Sequence, residues 1–149
     1  MTGYLLDTKV LGAFAPGRVA VTPRTVAWFE RRTDDLFLSA VSVVEIEAGL
    51  SKLRRAGAAR RAGDLAAWFE GILGHYGEKI LALDTAVGRI AGIMADHAEA
   101  TGQHPGFADV AIAATAKVRG LAVLTRNGRH LKPLGVESLD PFADSAPLP

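Results

Sequence analysis

Short apolar runs alternate with longer helical patterns along this chain, and that alternation limits its fold more than any other feature. Tyr4-Leu5-Leu6, "LFLSA" at 36–40 and "LAVLT" at 121–125 are continuous apolar segments of strand length. Such runs fit strands buried on both faces. "KILAL" at 79–83 reads as extended chain or a helix lead-in, and "GVESL" at 135–139 as a last weak strand. Between them, helices are predicted over "TKVLGAF", from Thr22-Pro23 to about Arg32, from Ser42 to about Ala56, and over 58–76. Two more run from Asp84 to about Thr101 and over 107–119, the latter closed by Gly120. Proline at a first helical position and glycine after the last are the expected punctuation. Strands separated by helices pair in parallel and take helices on both faces. The reactive crevice of such a sheet lies at the carboxyl ends of its strands, so the residues just past each strand are the ones to inspect.

The 149 residues suit one domain, drawn at 1–141, with 142–149 ("FADSAPLP") as a short flexible tail. A net charge of +1, from 17 basic and 16 acidic residues, gives no long-range field that would gather a polyanion. Any such partner must be held locally. With no cysteine, disulfides and thiolate metal sites are excluded. No apolar run approaches the roughly 20 residues of a membrane span, and no signal-peptide pattern opens the chain. The expected setting is the cytoplasm, with no membrane contact.

Three acids and one amide fall at strand ends or in first helical turns. Asp7 follows the first strand and precedes a short helix, where it is equally an N-cap. Glu45 closes Ser42-Val-Val-Glu45, a capping box by pattern. Glu47 lies about 200° around the helix from it, so the two cannot serve one site. Gly49, one turn beyond Glu45, favours Glu45, since glycine lets another backbone approach. Asp109 sits in an Ala-rich helix whose core face is Phe107, Val110, Ala111, Ala114 and Val118. A carboxylate on the opposite, equally apolar face is expected to be buried, and buried charge needs a partner. Asp84 is most simply the cap of its long helix. Asn127 follows the clearest strand. Together Asp7, Glu45, Asp109 and Asn127 predict one acidic pocket at the carboxyl edge, ringed by helix N-termini. Clustered carboxylates repel unless a hard divalent cation relieves them.

The chain resembles the PIN-domain ribonucleases, most closely the VapC/FitB-type toxins of bacterial toxin–antitoxin pairs. "YLLDTKVL" is similar to the family's first motif, and "LSAVSVVEIEAGL" to its second. "FADVAIAATAKVRGLAVLTRN" looks like the third and fourth together. The resemblance implies a PIN-like three-layer α/β/α domain with a short, mostly parallel sheet of four to five strands. It also implies an Mg²⁺- or Mn²⁺-dependent endoribonuclease of a type II toxin–antitoxin system, cutting RNA such as tRNA. Asp7, Glu45 and Asp109 would be the catalytic, metal-binding acids, with Asn127 a weaker ligand and Thr8, Lys9 and Thr125 accessory groups. Lys9 stands where relatives commonly have Asn, and His130 where some have a further acid. The implied partners are RNA, a cognate antitoxin whose segment plugs the cleft, and a second copy of the chain, giving a heterotetramer or larger assembly.

Lys52, Arg54 and Arg55, with Arg60 and Arg61 beyond them, are candidates for the RNA backbone. They equally suit a solvated helix end, where cations are favoured. The helices at 23–32 and 58–76 offer amphipathic surfaces for dimer or antitoxin. The alternative function is a non-catalytic RNA- or protein-binding module on a degenerate fold of this type. A haloacid-dehalogenase-type phosphatase would need a second Asp at position 9, which is lysine.

Overall fold

The first strand lies at the centre of the sheet. In the computed structural model, which describes residues 3–143 and 148–149, β1 (Tyr4–Leu6) pairs with β2 (Leu36–Ser39) on one side and β4 (Ala122–Leu124) on the other. β3 (Ile80–Leu81) extends the sheet beyond β2, and β5 (Ser138–Leu139) beyond β4, giving the order β3-β2-β1-β4-β5. Every pair is parallel. Leu5 sits opposite Phe37 and Val123.

Seven helices are described: α1 (Thr8–Gly12), α2 (Pro23–Arg31), α3 (Ala40–Arg55), α4 (Ala59–Tyr76), α5 (Thr85–Ala100), α6 (Phe107–Arg119) and α7 (Gly128–Leu131). They form the outer layers of the expected three-layer arrangement. Side chains of a strand alternate between faces, and β1 splits the core accordingly. Leu5 joins Val123, Val87, Met94 and Val110, Ile112 and Ala113 of α6 on one side. Tyr4 and Leu6 join Val10, Trp28, Leu38 and Tyr76 on the other. The continuous apolar runs are thus explained by cover on both faces. Burial pushes the Tyr76 phenol up to about 12, because removal from water disfavours its anion.

The chain winds outward through β2 and β3, returns under α5 and α6, and winds the other way through β4 and β5. Winding therefore reverses between β1 and β4. In open parallel sheets the crevice opens at such a reversal, beyond the strands' carboxyl ends. Asp7 and Thr125 are the residues immediately beyond those two strands.

Most predicted ends agree with the structure. Thr22 caps α2 with Pro23 at its first position, Asp84 caps α5 through the Val87 amide at 3.0 Å, and Gly120 closes α6 at φ +67°. The start of α3 differs. Its cap is Ser39, whose hydroxyl accepts the Val41 N–H at 3.1 Å. Ser42 lies inside the first turn, so the predicted capping box between Ser42 and Glu45 does not form. Strand β2 runs straight into the helix, and the first serine after the apolar run takes the cap.

Residues 144–147, within the segment expected as a tail, lie outside the described residues, as do 1–2. On either side of 144–147, Phe142 and Leu148 pack against the Tyr4–Trp28 half of the core. The Pro141 carbonyl accepts the Thr25 hydroxyl at 3.2 Å, and the Pro149 carbonyl accepts the Trp28 indole N–H at 2.8 Å. Among the described residues no helix is long and apolar enough to cross a membrane.

Candidate active site

Asp7 caps α1, as its position suggested, and also ties two strands together. Its backbone N–H continues the ladder to the Leu124 carbonyl at 3.0 Å. Its Oδ1 caps α1 by accepting the Val10 N–H at 2.8 Å. Its Oδ2 accepts the hydroxyl of Thr125 across the point where winding reverses. The Thr125 hydroxyl in turn accepts the Asn127 N–H at 3.0 Å. Asn127 is half-buried and opens α7 without a capping bond from its side chain, so its carboxamide is not consumed by the helix. A strand tip, a helix start and a second strand tip are tied together by one carboxylate.

A second chain of hydrogen bonds joins α1 to α3. Thr8 Oγ1 lies 2.9 Å from Ser42 Oγ and 2.5 Å from Glu45 Oε1. A hydroxyl has one proton to give, and the carboxylate is the stronger acceptor. Thr8 therefore donates to Glu45 and accepts from Ser42. This joins Glu45, rather than Glu47, to the residue that follows Asp7. Gly49 does not admit another backbone as expected: a Cβ there would meet nothing within 4 Å. Gly49 instead lines an open cleft of about 630 Å³ with Thr8, Lys9, Glu45, Trp68 and Arg126.

Asp109 departs from expectation. Its side chain is 42 % exposed rather than buried, and Phe107, assigned to the core face, is 69 % exposed. Burial of α6 begins only at Val110, so its first turn stands clear of the sheet. Asp109 lines a smaller hollow of about 370 Å³ with His104, Arg129 and His130. His130 Nδ1 lies 3.8 Å from Asp109 Oδ2. The partner absent from its own helix thus comes from α7.

The structure brings Asp7, Thr8, Glu45, Thr125 and Asn127 to one edge and gives each acid a separate neighbour. It does not draw the expected three-acid group around one point: among the described residues no three His, Asp or Glu side chains could together hold a metal ion. The donor chemistry nevertheless fits a hard cation, since carboxylate and amide oxygens are what Mg²⁺ and Mn²⁺ prefer. Lys52, Arg54 and Arg55 are exposed in the last turn of α3. At about 1.5 Å rise per residue they lie roughly 10–15 Å along the axis from Glu45, outside the cleft lining. Three residues of the site escaped the sequence reading. The sequence pattern presents Ser42 only as a cap. Arg18 and Arg126, which line the cleft, carry no motif of their own, although Arg126 lies between Thr125 and Asn127.

Known proteins share this chain's family and fold. The PIN domain family model matches residues 4–133. Toxin FitB of Neisseria gonorrhoeae is 32 % identical over 142 residues, which cover 94 % of this chain and 99 % of that protein. The crystal structure of FitAcB from Neisseria gonorrhoeae superposes with a TM-score of 0.80 at 31 % identity, covering 93 % of this chain and 98 % of that one. DNA-bound VapBC from Salmonella typhimurium shares the fold, with a TM-score of 0.79 at 22 % identity over 95 % and 99 % of the two chains. A five-stranded parallel sheet whose winding reverses at Asp7 and Thr125, matched along nearly its whole length, places the chain in the PIN-domain family.

Proposed function

We propose that this chain is the toxin of a type II toxin–antitoxin pair and acts as an endoribonuclease dependent on Mg²⁺ or Mn²⁺. The observation that carries this reading is the bond from Thr8, which directly follows Asp7, to Glu45, 37 positions away, at the reversal point of a PIN-domain sheet. Asp7, Glu45 and Asp109 are the proposed ligands, with Asn127 a weaker one. Glu45 is exposed and Asp109 half-exposed, and exposed rotamers exchange within nanoseconds. A bound divalent ion supplies a more acidic water and offsets charge on the phosphoryl oxygens.

The chain's own groups divide the remaining work. Thr125 fixes one oxygen of Asp7, and the α1 amide fixes the other. Thr8 holds Glu45 toward the cleft. Lys9 and the other cleft cations offer phosphate contacts, which would appear as salt-dependent affinity. RNA such as tRNA, with an exposed single-stranded stretch, is the proposed substrate. An antitoxin chain is the proposed partner, in a homodimer-based assembly, by relation to toxin FitB and the FitAcB structure.

The test is cleavage of a 5′-labelled RNA by purified chain with Mg²⁺, with Mn²⁺, and with EDTA. Cutting that needs the cation and is lost in Asp7→Asn is the expected result. Equal cutting by Asp7→Asn, or none by the wild type with either ion, overturns the nuclease reading. In the second case the chain is a binding module on this fold.

A further inference from the structure

The cleft beside Asp7 and Glu45 carries three cations, Lys9, Arg18 and Arg126, and none forms an ion pair among the described residues. Among the described residues, no aromatic ring stands against Lys9 or Arg18. Arg126 is different. Its guanidinium Cζ stands 4.0 Å from the centroid of the Phe142 ring, and Phe142 is itself fixed on several sides. The Phe142 N–H donates to Asp140 Oδ1 at 2.9 Å. The preceding Pro141 carbonyl is held by the Thr25 hydroxyl. The ring also lies 6.4 Å from that of Phe14, which packs edge-on against Phe29.

An arginine stacked on an aromatic face keeps its charge and leaves the edges of its donor fork unspent. The fork suits the paired oxygens of a phosphodiester. Stacking also removes rotamer freedom that an unsupported arginine would lose on binding. Arg126 directly follows Thr125, whose hydroxyl is bonded to Asp7, so the held guanidinium is anchored one residue from the proposed catalytic edge. Neither Glu45 nor Asp7 consumes it.

We propose that Arg126 is the principal phosphodiester contact among the cleft cations for single-stranded RNA, and that Phe142, from the carboxyl-terminal segment, is its positioning residue. The proposal rests on the nuclease reading for the identity of the substrate, and its test does not depend on cleavage. Affinity for a fluorescein-labelled single-stranded RNA dodecamer is measured by anisotropy in EDTA, from 25 to 200 mM KCl, with full-length chain. Arg126→Gln should weaken binding about tenfold, the loss expected for one charge-assisted contact. It should also flatten the log–log salt slope by about 0.7, the share of one single-strand phosphate. Phe142→Leu keeps an apolar side chain but removes the π face. It should weaken binding about threefold, measured well below a midpoint that loss of the Phe14 contact lowers modestly, and Phe142→Tyr should restore wild-type affinity.

Binding by Arg126→Gln within twofold of wild type, with the same slope, overturns the phosphate contact. So does an absence of measurable binding by the wild type. Wild-type affinity in Phe142→Leu overturns the positioning role. Failure to cut in the Mg²⁺ and Mn²⁺ assay leaves these binding outcomes as they stand and counts only against the nuclease reading.

Discussion

Replacing Thr125 by valine should separate the tie across the sheet from the packing around it. Thr125 is 2 % exposed, and valine fills nearly the same volume without the hydroxyl. Two interactions are lost: the bond donated to Asp7 Oδ2 and the bond accepted from the Asn127 N–H at 3.0 Å. A hydrogen bond to a charged group contributes about 1.5–3 kcal/mol, and an orphaned buried donor costs about 1–3 kcal/mol. Asp7 and Asn127 are each half-buried, so water recovers part of both losses. The net expectation is about 2–3 kcal/mol, or roughly 5–10 °C in the thermal midpoint of a domain this size. Urea unfolding in EDTA, with the slope checked for constancy, measures it. Thr125→Ser, which keeps the hydroxyl, should lose about 1 kcal/mol for the missing methyl. A double-mutant cycle assigns the bond. In an Asp7→Asn background, whose amide oxygen still caps α1, Thr125→Val should cost at least about 1 kcal/mol less than in the wild type. Equal cost in both backgrounds would show that the hydroxyl is not spent on Asp7, and the argument for a preorganised carboxylate at the reversal point would fail with it.

Asp84→Ala should cost about 1 kcal/mol through loss of the α5 cap, whereas Arg119→Gln, which removes a 3.2 Å ion pair with both side chains 43 % exposed, should change stability by less than about 0.5 kcal/mol; chemical denaturation of the two variants compares them directly. Gly3→Ala should destabilise by about 1–3 kcal/mol, because its methyl would sit 2.8 Å from Leu121 Cδ2 and 3.1 Å from the Phe37 ring; an unchanged midpoint would mean that this sheet edge yields freely. The Tyr76 phenol titrates near 12 when folded, against an ordinary value of 10.0, so the unfolded chain releases its proton first. Its stabilising contribution is complete below pH 10 and is lost as pH rises to 12, by about 2–3 kcal/mol in total; Tyr76→Phe should lack that share of the alkaline decline in urea midpoints.

Local signals in this sequence read well because they depend on local physics. Thr22-Pro23, Asp84 and Gly120 each satisfy or terminate a helix with atoms a few residues away, so spacing suffices to find them. The error at α3 shows the limit of that reasoning. Ser39 and Ser42 are both competent caps, and the choice depends on where strand β2 ends. Its end is set by pairing with β1 and β3, not by the serines. Phe107 fails for a related reason. Helical periodicity assigns it to the buried face of α6, but periodicity cannot tell that the first turn projects beyond the sheet.

The site divides along the same line. Asp7 and Glu45 are visible in the sequence as carboxylates that follow closely on an apolar strand. What each touches is set by topology. Asp7 meets Thr125 only because β1 lies between β2 and β4, and 118 positions separate the two. Thr8 reaches Glu45 across 37 positions, replacing a three-residue capping box that pattern alone would favour. Arg126 obtains its aromatic support from Phe142, in a segment whose composition suggested a tail. In each case a residue type suited to chemistry is legible one-dimensionally, while its partner appears only once the winding of the sheet is known. The same reasoning bears on Asp109. Its sequence environment suggested a costly buried charge that only a ligand could explain, yet its half-exposed position removes that cost. Its candidacy as a ligand therefore rests on its place in the PIN-domain motif and at the mouth of a hollow shared with His130, not on strain relieved by binding.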